Sequence, residues 1–157
     1  MTKSLNKTRG LDMLSKEDQE SLFFVWKVRQ GLVNGTPIEL VGDYCIWYWK
    51  NYIRPHFCRE EQVFLSFIPA DDELVGQIRQ QRKDLHELFT ELCRCSDPLL
   101  VGMFASLLEF HIRFEERIFY PYLQQKLSPA ESEIAFSLLK NIAPPVHSWQ
   151  EPFWMPK

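Results

Sequence analysis

Apolar residues along this chain recur at spacings of three and four, and strand-like alternation never runs far. That periodicity predicts helices packed on one core. Ser15, with Asp18 three residues on, reads as a near capping box opening a first helix. Its apolar positions Leu22, Val25, Trp26 and Leu32 lead to a stop at Asn34-Gly35. Thr36-Pro37 opens a long second helix over roughly 38–67, ended by Pro69. Asp71-Asp72 caps a third that runs to about Cys95, and Ser96-Asp97-Pro98 opens a fourth from Leu99 to about Leu127. Ser128-Pro129 begins a shorter fifth, to about Asn141. Short connections between long helices favour antiparallel neighbours. The expected fold class is therefore all-α: an up-down-up-down four-helix bundle with a short additional C-terminal helix.

Two prolines interrupt this pattern. Pro55 lies inside the second helix, directly before His56. An interior proline removes one backbone hydrogen bond, costs roughly 3 kcal/mol in a regular helix and bends the axis. The bend either aims His56 inward or is merely accommodated. Pro121, in the fourth helix, reads as a bend alone. Residues 1–142 are thus expected to form the bundle and 143–157 a tail. The tail carries Pro144, Pro145, Pro152 and Pro156 beside Trp149, Phe153 and Trp154, a proline density that excludes a helix. Leaving three large aromatics in water is costly at ~25 cal/mol per Å² of apolar surface. They are expected to pack back on the bundle or to contact a partner or a second copy of the chain.

Composition narrows the class without naming the chemistry. A chain of 157 residues with 45% hydrophobic and 25% charged residues fits one globular domain. A formal net charge of −3 gives no reason to expect nucleic acid or an acidic membrane as partner. No apolar run reaches the ~20 residues that span a bilayer, and none at the N-terminus resembles a signal peptide, so the expected location is the cytoplasm. The four cysteines, Cys45, Cys58, Cys93 and Cys95, are too few for a disulfide scaffold and read as reduced thiols.

Two phrases carry the chemistry: His56-Phe-Cys-Arg-Glu60-Glu61 and His111-Ile-Arg-Phe-Glu115-Glu116. Helix positions four apart share a face. Glu60 lies about 40° around the helix from His56 and Glu61 about 140°, at 3.6 residues per turn. Glu115 is favoured over Glu116 for the same reason, which leaves Glu61 and Glu116 as flanking groups. His86 reads as a third inward histidine, one turn from Phe89. Three imidazoles and two carboxylates on three helices form a donor set for a transition metal, and helix bundles build such sites from side chains on facing helices. Buried carboxylates without a cation or a donor are expensive. His147 falls in the tail and reads as a non-ligand.

These phrases, together with the continuation Glu115-Glu116-Arg117-Ile118-Phe119-Tyr120-Pro121, resemble the hemerythrin-like, HHE cation-binding family. The similarity spans Leu14 to about Leu127. It implies a four-helix bundle holding a non-haem di-iron centre, with His56, His86 and His111 as ligands and Glu60 and Glu115 bridging. An open position would take dioxygen or a related small ligand. Two positions depart from the family. The first helix has no histidine, and Asp18 or Gln19 stands at the matching place; Arg82 stands where many members carry a second third-helix histidine. Arginine cannot ligate, and its fixed charge can pair with Asp18, Glu61 or Glu116 in place of a cation. The expected function is binding or sensing of dioxygen or iron, with one or two ions and no catalytic residues; zinc or nickel can load in place of iron. Two alternatives stand beside it: a di-iron oxidase or peroxide-type enzyme, and a metal-free helical interaction module.

Overall fold

The computed structural model describes residues 9–142 and 148–155. Within them the chain is all-helical, with no strand. Helix α1 spans Arg9–Val33, α2 residues 38–67, α3 Glu73–Arg94, α4 residues 98–126 and α5 Pro129–Lys140. The 1–8 segment, His147 and the prolines at 144, 145 and 156 lie outside the described residues.

The helix ends follow the local chemistry. The Asp72 side chain accepts from the Val75 amide, and Asp97 accepts from those of Leu99 and Leu100. Ser128 and Glu131 form a reciprocal capping box on α5. Gly35 adopts φ +71° just past α1, a conformation that suits glycine. The start of α1 differs from expectation. The chain is already helical at Arg9, and Ser15 is buried inside the helix with its Oγ donating to Glu116 Oε1 at 2.8 Å. Leu11 and Leu14 explain this, because both are fully buried and extend the apolar stripe past the expected cap. Farther along, Phe24 and Val28 are buried while Trp26 is 47% exposed.

Helices α2 and α4 are continuous but not regular. The five-residue π-helical turns Trp49–Ile53 and Glu60–Phe64 interrupt α2, and Glu115–Phe119 interrupts α4. Both interior prolines follow such a turn at the same offset: Arg54-Pro55 after the first and Tyr120-Pro121 after the last. A proline ring clashes with the carbonyl four residues back. One extra residue in the turn carries that carbonyl away, and a π-bulge is a known cause of a local kink.

Helix α4 packs along α1 and α3, α2 contacts α1, α3 and α4, and α5 lies against α1 and the 60–64 turn of α2. Two apolar clusters result. One gathers Phe24, Val28, Tyr44, Trp49, Phe89 and Phe104; the other gathers Leu11, Leu14, Phe64, Ile78, Phe119 and Leu123. Between them the inward stripe of each long helix is polar: Asp18 on α1, His56 and Glu60 on α2, Arg82 on α3, His111 and Glu115 on α4. The described part of the tail lies on α1 and α2. Trp149, Phe153 and Trp154 stand 5.2, 5.1 and 5.6 Å from the Tyr44 ring, centroid to centroid. Gly31 makes room for it, since a Cβ there would come within 2.6 Å of the Phe153 ring.

Candidate metal centre

His56 stands at the middle of the polar layer. Its Nδ1 lies 2.7 Å from Glu17 Oε1, which can only accept, so Nδ1 carries a hydrogen. Glu17 is in turn gripped by the Arg59 guanidinium, one nitrogen at 2.9 Å from Oε1 and the other bonded to Oε2. That chain fixes the ring and turns Nε2 inward. Around Nε2 stand Glu60 Oε2 at 2.9 Å, Asp18 Oδ1 at 3.3 Å and Glu115 Oε1 at 3.5 Å. Donors held ~2.0–2.2 Å from a common cation stand at about this separation from one another. Asp18, His56 and Glu115 each offer a ligand atom within 4.8 Å of the other two.

His111 is oriented in the same way. Nδ1 lies 2.7 Å from Gln81 Oε1, and Nε2 points into the centre, 3.6 Å from Glu115 Oε2. An imidazole tied at one nitrogen and free at the other is the usual arrangement of a metal-ligating histidine. Among the described residues, His111 Nε2, Asp18 Oδ2 and Glu115 Oε2 are buried without a hydrogen-bond partner. Buried polar atoms are ordinarily paired. The donor chemistry therefore fits a cation.

Each central carboxylate faces two ways. The Oε2 of Glu60 and the Oε1 of Glu115 turn toward His56, and both accept from the Tyr120 hydroxyl, at 2.8 and 3.3 Å. The opposite oxygens turn toward Arg82, whose Nη2 bonds to Glu60 Oε1 and lies 3.9 Å from Glu115 Oε2. Arg82 also stands 3.7 Å from Glu61, and Asp18 is not among its partners. The guanidinium thus occupies the side of both carboxylates that faces away from His56.

The layer's charge shows in its proton affinities. Burial raises Asp18 well above the usual carboxylate range, and the Glu115 charge adds to this. Burial alone would lower His56, but the Glu60 and Asp18 carboxylates push it well above an ordinary imidazole. Burial alone would raise Glu115, yet His111 and contact with His56 hold it well below. Burial and the three carboxylates push Tyr120 upward.

Of the residues singled out from the sequence, His56, Glu60, His111, Glu115 and Asp18 come together, all buried. Gln19 is exposed, although it adjoins Asp18. His86 does not join them. The inward register of α3 is Val75, Ile78, Arg82, Leu85, Phe89 and Leu92, and His86 falls outside it, exposed at 5.9 Å from the Trp49 ring. Glu61 pairs with Arg79 at 2.8 Å. Tyr120, Glu17 and Gln81 were not anticipated. Tyr120 is five residues past Glu115, about 140° around a regular helix. The widened Glu115–Phe119 turn brings it back toward the same face, and Pro121 was the available signal for that turn.

No helix among the described residues is long and apolar enough to cross a membrane. No protein-family model matches the chain, and neither a curated protein nor a solved structure shows significant similarity to it.

Proposed function

We propose that this chain is a hemerythrin-like protein, an up-down-up-down four-helix bundle whose polar layer holds one iron ion and there binds or senses dioxygen or another small ligand. The observation that carries this reading is the setting of His56: Nδ1 tied to Glu17, Nε2 among Asp18, Glu60 and Glu115. Asp18, His56, Glu60 and Glu115 would hold the ion. Bound there, iron supplies reversible coordination of a small ligand at positions the protein leaves open. The residues' own part is to orient and to insulate. Glu17 and Arg59 keep His56 in one tautomer, Tyr120 donates to the two glutamates, and the apolar clusters on either side keep water out. The single ion follows from Arg82, whose guanidinium stands where Glu60 and Glu115 would otherwise bridge to a second cation.

The test is elemental analysis of protein produced with iron and of the same protein reloaded with ferrous iron under nitrogen. One ion per chain is expected, lost in His56→Ala. A chain that takes up no iron, zinc or nickel would overturn the proposal. The Arg82–Glu60 ion pair also favours a second reading, a metal-free polar core. In that case His56→Ala changes stability and no metal content.

A further inference from the structure

The Tyr120 hydroxyl belongs to the ring of donor atoms around His56 Nε2. Its side chain is fully buried, and Oη lies 2.8 Å from Glu60 Oε2, 3.3 Å from Glu115 Oε1 and 3.5 Å from His56 Nε2. Asp18 Oδ1 and Glu115 Oε1 stand 3.3 and 3.5 Å from the same nitrogen. The phenol oxygen is thus as near to it as the carboxylate oxygens that would share an ion with it. Donors ~2.0–2.2 Å from a common cation sit at about such separations. A hydroxyl carries one hydrogen, which two carboxylates here divide, and its lone pairs remain for a cation.

The backbone is shaped to bring the phenol there. Five residues past Glu115, Tyr120 would turn away from the centre on a regular helix. The widened turn Glu115–Phe119 returns it, and such turns are frequent at functional sites. A phenylalanine would fill the same buried place with no polar atom to satisfy, so packing alone does not call for the hydroxyl.

Charge decides which ion uses that oxygen. Held as ligands, Asp18, Glu60 and Glu115 set three negative charges against the one positive charge of Arg82, with both imidazoles neutral. Glu17 and Arg59 cancel each other. A divalent ion neutralises the two charges left over, and Tyr120 stays a phenol that donates to the glutamates. A trivalent ion leaves one positive charge uncancelled in a buried layer, where such a charge is costly. Loss of the phenol proton cancels it, and a bound cation makes that loss easier.

We propose that Tyr120 is a metal ligand whose Oη binds a trivalent ion as the phenolate, its proton passing to solvent. With a divalent ion it remains a neutral hydrogen-bond donor. This rests on the metal reading of the polar layer and adds to it a preference for ferric iron over divalent ions.

Titration of the full chain with ferric nitrilotriacetate, and separately with zinc, tests this. Ferric iron is expected at one ion per chain, with a phenolate-to-iron charge-transfer band in the visible. Resonance Raman excitation within that band should show tyrosinate ring modes. Tyr120→Phe should abolish the band. Losing a group that only supports the ligands weakens either ion by about 10–100-fold, so the loss for ferric iron should exceed that for zinc by a further factor of about ten. Circular dichroism in EDTA checks that the variant folds. Should it not, the band is read in Tyr44→Phe, Tyr48→Phe and Tyr52→Phe, because the fifth tyrosine, Tyr122, bonds to Asp72 outside the layer. Retention in all three assigns the band to Tyr120, and its loss in any one overturns the proposal. Ferric iron bound without the band, a band that survives Tyr120→Phe, or equal losses for the two ions would each overturn it and leave the metal site standing. Uptake of no ion at all would overturn the metal reading and this proposal with it.

Discussion

At the scale of single residues, the centre rests on which oxygen of each carboxylate faces which cation. Glu60 is fully buried and divides its oxygens between the Arg82 guanidinium and the His56–Tyr120 side. Arg82→Ala removes the charge on one side and leaves Glu60 Oε1 without its partner. Breaking a buried pair in this way costs roughly 3–5 kcal/mol. We expect urea denaturation in EDTA to show a loss of that order. On the proposed reading the same substitution opens the space where a second cation can sit, so metal stoichiometry should rise from one toward two per chain. A stoichiometry that stays at one would remove Arg82 from that role. His56, Glu60, His111 and Glu115 were legible in the sequence because i and i+4 share a helical face whatever the tertiary packing does. His86 was misleading for a local reason: it adjoins Leu85, and only the full stripe from Val75 to Leu92 shows which of the two points inward. Glu17 could not be read at all, because its partners His56 and Arg59 are about forty residues away.

At the scale of elements, helix ends were more legible than helix interiors. Capping is a matter of a few adjacent residues, so Asp72, Asp97 and Ser128 could each be read without knowing the fold. The π-helical turns could not: two of them precede interior prolines, but the turn Glu60–Phe64 has no proline within it or directly after it. The start of α1 was misplaced because burial of Leu11 and Leu14 outweighs the local signal at Ser15. Two caps allow a graded test. Ser128→Ala removes one acceptor from an exposed helix start and should cost about 1 kcal/mol. Asp72 accepts from the Val75 amide and also from the Tyr122 hydroxyl of α4, so it joins two helices. Asp72→Ala should therefore cost more, about 2 kcal/mol, by adding one lost hydrogen bond to one lost cap. Denaturant midpoints of the two variants check the order, and equal losses would mean that the Tyr122 contact contributes nothing.

At the scale of the whole molecule, two apolar clusters hold between them a polar layer whose stability depends on what neutralises it. Without a metal, protons do this. His56 in the folded chain binds its proton more tightly than an ordinary imidazole, for which the pKa is about 6.5. A raised folded pKa gives stability that is complete below the unfolded value and is lost as the pH rises through the folded one. Asp18 is raised as well and acts in the same direction, from about 3.9 upward. Glu115 is lowered, so its contribution is lost only on the acid side, as the pH falls below about 4.3 toward its folded value. From about pH 6 upward the metal-free protein should therefore become less stable. A bound cation takes the place of those protons, and its affinity rises as they become easier to release. The two trends add. The gain in melting temperature from saturating ferrous iron or zinc should thus grow from pH 5.5 to pH 7.5. An excess of about a hundredfold over Kd stabilises by about 2.7 kcal/mol. For a chain of this length that corresponds to roughly 5–10 °C. Melting curves with metal and with EDTA at three pH values measure it directly. A gain that is the same at every pH would mean that the ion binds away from His56 and Asp18.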